Sequence, residues 1–202
     1  CHIKYGHIVG DSVFVIKIAT GFCVNPSKGL PSSNGVMLAL SAQTGEIMAI
    51  LQDEGYLTDL RTGIGAALAT KAGCRSDAQR VGVVGTGIQA NIQIRCLNAL
   101  MPDAGFVFSV WGRSPEKMNH LAQDLAAHQI SVTVQPDLEA LCADADILLT
   151  TTSTKTPLIH SEWISKGTHI TASGADAPGK QELDSALTAR ADLPVSYTHL
   201  TL

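Results

Sequence analysis

The 202-residue chain is 45% apolar and 16% charged with a net charge of −4, a balance that can bury a core and excludes a disordered tail. No basic cluster offsets the acidic surplus, which argues against a nucleic-acid partner. No run reaches the roughly 18 apolar residues of a membrane span, and the first residues lack a signal-peptide layout. A cytoplasmic protein with no membrane partner is therefore expected.

The chain opens at Cys1 inside β-like sequence, so its native start is expected to lie upstream. The run SVFVIKI from Ser12 alternates and is rich in β-branched residues, which predicts a strand. After the Pro/Gly/Ser/Asn loop NPSKGLPSSNG, the stretch GVMLALSAQTGEIMAILQD from Gly35 predicts two strands joined at Gln43-Thr44-Gly45. The first 55 residues or so thus read as a small, mainly antiparallel β unit. A helix is predicted over Gly63 to Ala72, GIGAALATKA, stopping at Gly73. Its small side chains predict that another backbone or a ligand lies close.

Strands and helices then alternate. VGVVG, FVFSVWG, SVTVQ, ILLTTT and HITASG read as strands, separated by the helical runs IQANIQIRCLNAL, PEKMNHLAQDLAAHQ and DLEALCADA. That order predicts an α/β fold, a Rossmann-type doubly wound parallel sheet with helices on both faces. The five cysteines, at 1, 23, 74, 96 and 142, are odd in number and show no C-x-x-C pair. Neither a disulfide framework nor a metal site is expected from them, and they read as buried free thiols.

The segment VGVVGTGIQA carries Gly85-x-Gly87-x-x-Ala90 between a predicted strand and a predicted helix. Such a loop turns tightly, lets backbone approach a pyrophosphate and aims a helix N-terminus at it. Gly85, Thr86, Gly87, Ile88 and Gln89 are therefore candidate cofactor-binding residues. At the tip of the next strand, where NAD enzymes place an acidic residue on the ribose, the chain has Trp111-Gly112-Arg113-Ser114, with Lys117 nearby. Gly112, Arg113, Ser114 and Lys117 would surround a 2′-phosphate, which favours NADP(H) over NAD(H); Glu116 leaves a ribose contact open. Thr151, Thr152 and Ser153, at a later strand end, are candidates to line a nicotinamide pocket or simply to satisfy a turn. Asp176 in SGADAPGK lies just beyond an apolar segment, where an acidic residue either caps a helix or does chemistry.

Taken in order, VIKIATGFCVNPSKGLPSSNG, LQDEGYLTDLRTGIGAALATKA, VGVVGTGIQA and ASGADAPGKQELD resemble the ornithine cyclodeaminase/mu-crystallin family over about residues 1–193. The resemblance implies a dinucleotide domain over residues 74–194. Residues 1–73 would be part of a substrate and dimerisation domain with its linking helix, in a homodimer that takes a small amino-acid or imino-acid substrate. It implies that Lys17 contacts the substrate carboxylate or imine and takes part in catalysis, and that Ser32 supplies a hydroxyl near substrate and cofactor. Arg61, with Thr62 beside it, would hold substrate and pyrophosphate at a helix start, and Asp176 would be the catalytic aspartate. Lys and Arg suit a carboxylate through charge-assisted hydrogen bonds. On the residues alone, Lys17 as an outward strand residue, Arg61 as a partner of Asp53 or Asp59, and Ser32 as a plain loop hydroxyl all stay open.

Family members extend beyond both ends of this chain, so the fragment is expected at most to keep a partial dinucleotide domain. Residues 195–202, including Tyr197, Thr198 and His199, look like a non-native, adapter-derived tail. For an ornithine cyclodeaminase the resemblance implies oxidation of the substrate α-carbon to an imine, attack by the side-chain amine, loss of ammonia, and reduction to proline. The same site with NADPH would reduce a cyclic ketimine acid such as pyrroline-2-carboxylate or piperideine-2-carboxylate. A non-enzymatic NADPH-dependent small-ligand-binding protein like mu-crystallin is the third reading, and the trio Lys17, Arg61 and Asp176 counts against it.

Overall fold

The computed structural model describes residues 1–22, 24–31 and 33–195; Ser32, Tyr197, Thr198 and His199 lie outside them. The chain divides into two compact units, Cys1–Arg61 and a second one from Thr62 onward. In the first, β1 (His2–His7), β2 (Val13–Gly21), β3 (Ser33–Ser41) and β4 (Ile47–Gln52) form one antiparallel sheet in chain order. Directly paired residues share a face, so the register puts Tyr5, Ile16, Leu38 and Ile50 in one row and Lys4, Lys17, Met37 and Leu51 in a row on the opposite face. The first of these faces is apolar and not closed over: Tyr5 is 85% and Ile50 60% exposed.

Helix α1 spans Tyr56–Gly73, so it begins just ahead of LTDLRTG rather than at Gly63 as expected. The reason is local: Asp53 Oδ2 accepts the Leu57 N–H at 2.6 Å, satisfying a first-turn amide. The expectation of a close neighbour holds. A Cβ at Gly63 would stand 3.3 Å from the Ile92 carbonyl carbon and 3.1 Å from Cys96 Sγ, both on the next helix.

The second unit follows the predicted alternation. Strands β5 (Arg80–Val84), β6 (Val107–Trp111), β7 (Val132–Val134), β8 (Ile147–Thr150) and β9 (His169–Ala172) form a parallel sheet ordered β7-β6-β5-β8-β9. Helices α2 (Ile88–Leu100), α3 (Pro115–Ala126), α4 (Leu138–Asp144) and the short α5 (Ser185–Ala189) complete it. Alternation along the strands feeds two cores. Val81, Val83, Phe108, Val110, Ile147 and Leu149 pack with Ile94, Leu97 and Leu125, while Val84 and Leu148 pack with Leu141, Ile159 and Leu187. Helices thus cover both faces, and the sheet is the doubly wound type expected, with its carboxyl ends gathered at one edge.

The thiols depart from expectation. Among the described cysteines only Cys142 is buried; Cys74 and Cys96 are half-buried and Cys1, ahead of β1, is exposed, while Cys23 lies outside the described residues. No described helix is long and apolar enough to cross a membrane.

Candidate functional site

At the carboxyl end of β5 the chain turns at Gly85, whose N–H donates to the Trp111 carbonyl at 2.9 Å. Its φ of +125° suits glycine and strains any side chain. A Cβ there would also collide with Thr151 Oγ1. Next comes Gly87, which starts α2 without any side-chain cap and has open space where a Cβ would go. The contrast with the other helices is informative: Ser114, Asp137 and Asp184 cap α3, α4 and α5 with their side chains. A helix start that lacks a capping side chain and is reached through a tight glycine turn suits a bound anion. Ile88 is exposed on that first turn, and Gln89 accepts from Gln93 Nε2 at 3.4 Å. The residues present therefore fit a dinucleotide pyrophosphate.

Gly112 packs directly on Thr86, since a Cβ at 112 would meet Thr86 Cγ2 at 2.6 Å. Arg113 and Lys117 are exposed just past the strand tip, and Ser114 Oγ accepts the Lys117 N–H at 3.3 Å. Ser114 is thus the cap of α3, with its hydroxyl proton still to donate. No carboxylate stands between Trp111 and Pro115.

The exits of β8 and β9 lie beside this loop. Thr151 touches the Gly85 turn and donates to the Val84 carbonyl at 3.3 Å; Thr152 is half-buried and Ser153 exposed. Asp176 sits in the loop after β9, and Lys180 Nζ donates to its Oδ1 at 2.6 Å. The helix cap nearby is Asp184, so Asp176 is not a cap. Its partner Lys180 was legible as a cation four residues on, yet was not singled out.

Two buried polar residues were also missed. Glu182, 2% exposed, accepts from Thr152 N and Oγ1, Thr150 Oγ1 and Gly174 N. Gln93, fully buried in α2, donates to Ser173 Oγ at 2.8 Å, and Ser173 donates in turn to the Thr150 carbonyl at 3.0 Å. Nothing local distinguishes either from a surface residue. Only the fold turns them inward.

In the first unit, Lys17 on β2 is 6% exposed, and its Nζ has no hydrogen-bond partner among the described residues. The outward-facing alternative for Lys17 is therefore wrong. Burial first, then the positive charges of Arg61 and Lys4, push its pKa down from 10.5 to about 8, against the pull of Asp53 and Asp59. Arg61 is exposed on α1 and Thr62 half-buried beside it. A desolvated ammonium with no fixed partner is a ready receptor for a carboxylate.

At the opposite, amino-terminal end of the parallel sheet, Asp146 Oδ1 accepts from Arg75 and Arg80 guanidinium nitrogens and Oδ2 from the Gln79 and Arg80 amides. Those bonds, the Arg80 amide foremost, hold its carboxyl well below the usual range. His160, Glu162 and Asp184 bring potential ligand atoms within 4.8 Å of one another. Both Asp184 oxygens, however, are already taken by the Ser161 and Leu187 amides, whose hydrogen bonds lower its pKa. Its role is that of a cap.

The sequence profile of the Ornithine cyclodeaminase/mu-crystallin family matches residues 7–201. An uncharacterized cyclodeaminase of Sinorhizobium fredii is 40% identical over 96% of this chain and 58% of its own length. A Delta(1)-pyrroline-2-carboxylate reductase of Paracoccus denitrificans is 32% identical over 92% of this chain and 58% of its own. An archaeal alanine dehydrogenase dimer solved with bound NAD superposes with a TM-score of 0.82 at 29% identity, over 95% of this chain and 61% of that one. The chain thus spans little more than half the length of the curated relatives it matches.

Proposed function

We propose, from the premise that this chain belongs to the ornithine cyclodeaminase/mu-crystallin family, that it is the greater part of an NAD(P)-dependent enzyme acting on the α carbon–nitrogen bond of a small amino or imino acid. One observation carries the reading: the glycine turn at Gly85 packs on Thr151 at the β8 exit and leads into the uncapped start of α2 at Gly87, at the carboxyl edge of one parallel sheet. Ligands of doubly wound sheets collect there. A bound nicotinamide supplies or accepts the hydride.

The chain's own residues would do the rest. Lys17 and Arg61 would hold the substrate carboxylate, and Ser32 would add a hydroxyl. Asp176 would take and return protons at the reacting nitrogen, where a positioned carboxylate is effective. Arg113, Ser114 and Lys117, with no carboxylate at the strand tip, support NADP(H), although the archaeal neighbour carries NAD. L-ornithine, cyclised to L-proline with release of ammonia, is the substrate we favour. Reduction of pyrroline-2-carboxylate is the second reading, favoured by the 32% identical relative of that name. The whole protein would be a cytoplasmic homodimer, with residues 1–73 in its substrate and dimerisation domain and the open apolar face around Tyr5 and Ile50 against a second copy.

Incubating the protein with ornithine and oxidised cofactor, and separately with pyrroline-2-carboxylate and NADPH or NADH, tests this. Proline and ammonia without net cofactor change mark a cyclodeaminase. Cofactor oxidation confined to the second mixture marks a ketimine reductase. Silence in both beside tight NADPH binding would overturn the enzymatic reading in favour of a binding protein.

A further inference from the structure

The parallel sheet ends in two loops that must be held still if a nicotinamide is to sit between them: Thr151–Ser153 after β8 and Ser173–Asp176 after β9. Both are tied to one buried side chain. Glu182 Oε1 accepts the Thr152 N–H at 2.5 Å and the Thr152 hydroxyl at 2.8 Å, while Oε2 accepts the Gly174 N–H at 2.7 Å and the Thr150 hydroxyl at 2.9 Å. All four partners are neutral donors, and among the described residues no Lys or Arg is paired with it. The residue's own backbone is fixed, because its carbonyl accepts from Leu158 and Ile159 at 2.8 and 3.1 Å.

The packing leaves no slack. A Cβ at Gly174 would collide with Thr152 backbone atoms and stand 2.7 Å from the Glu182 carboxyl carbon. The clamp continues through Thr150, whose carbonyl accepts from Ser173 Oγ, to Gln93 on α2, whose Oε1 is buried with no partner among the described residues. Thr151, between the clamped Thr150 and Thr152, is the residue that touches Gly85.

We propose that Glu182 is a positioning residue that fixes the two strand exits relative to each other and so orients the nicotinamide end of the cofactor; this rests on the nicotinamide reading above. A carboxyl group rather than an amide is required by geometry. Each oxygen receives a backbone N–H that cannot rotate away, so a glutamine there must turn its NH2 toward one of two N–H donors and release that loop.

The test compares dinucleotide with a ligand that lacks only the nicotinamide. Titrate wild type, Glu182→Gln and Thr150→Val with NADPH and with 2′-phospho-ADP-ribose, and with NADH and ADP-ribose, reading nicotinamide fluorescence or heat. Glu182→Gln should weaken the reduced dinucleotide about tenfold, the loss of roughly one charge-assisted hydrogen bond. The ADP-ribose ligands should stay within about twofold. Thr150→Val, which removes only a hydroxyl donor, should move the same ratio by a smaller factor, and it decides the matter if Glu182→Gln does not fold. Equal loss for both ligand types, or no change in either, would overturn the assignment, since a merely structural carboxylate would not separate them. A wild type that binds neither ligand type would instead overturn the nicotinamide reading, and the assignment with it.

Discussion

Replacing Lys17 with methionine should make the protein more stable at neutral pH while removing the proposed carboxylate receptor. The ammonium is 6% exposed, has no hydrogen-bond partner among the described residues and faces Arg61 and Lys4, so its pKa falls from 10.5 to about 8. At full weight that displacement is worth about 3 kcal/mol; solvent screening of neighbouring charges brings it to about 1–2 kcal/mol. The sign follows from which state holds the proton. Below pH 8 both folded and unfolded chains carry the charge, and only the folded one bears its desolvation. Between about pH 8 and 10.5 the folded state loses its proton first and the penalty fades; above the unfolded value it is gone. Urea unfolding followed by far-UV circular dichroism at pH 7, 9 and 10.5 should therefore show Lys17→Met ahead by about 1–2 kcal/mol at neutral pH, converging on wild type at the alkaline end. A variant less stable at pH 7, or an advantage that persists unchanged at pH 10.5, would refute the claim that burial and the like charges at this lysine outweigh the pull of Asp53 and Asp59.

Other substitutions probe the second unit. Asp146→Asn should cost about 2–3 kcal/mol at pH 7, because one side of the group must then face donors with a donor. Since the folded carboxyl is held below its usual range, its contribution is fully present above about pH 4 and drains away as pH falls through the lowered folded value. The gap between wild type and variant in urea midpoints should narrow accordingly in acid, and a gap that is flat with pH would count against the ionised cluster. Gly85→Ala places a Cβ at a φ of +125° and against Thr151; a loss of about 2–3 kcal/mol in unfolding free energy, with dinucleotide affinity down at least about tenfold, is expected from calorimetry. Replacing Arg113 and Lys117 together with alanine should lower NADPH affinity about 10- to 100-fold and leave NADH nearly unchanged, whereas equal effects on the two cofactors would show that these cations do not read the 2′-phosphate.

The sequence disclosed those parts of the fold where pattern and local chemistry coincide. VGVVG followed by TGIQA is a buried strand, a glycine turn and a helix start in ten residues, and no distant contact is needed to recognise it. The start of α1 was less accessible, because the group that satisfies its first turn, Asp53, lies outside the helix and reads as an ordinary loop acid. The burial of Lys17 was hidden for a different reason: a strand residue's face is known only once its register with β1 and β3 is known. Glu182 and Gln93 are the extreme case. Each is a polar residue whose meaning depends on partners tens of positions away, Thr150 and Thr152 for one and Ser173 for the other, and no spacing rule links them.

The Asp146 cluster locks the amino-terminal entrance of β5 and β8, whereas Gly85, Thr151 and Asp176 all follow strand exits. What keeps the sheet together and what would handle a substrate are thus at opposite poles of the same strands. Exit loops can drift in sequence while the anchored pole goes on specifying the fold. That separation offers a physical route by which one ancestral scaffold could diversify into relatives bearing names as different as cyclodeaminase, pyrroline-2-carboxylate reductase and alanine dehydrogenase.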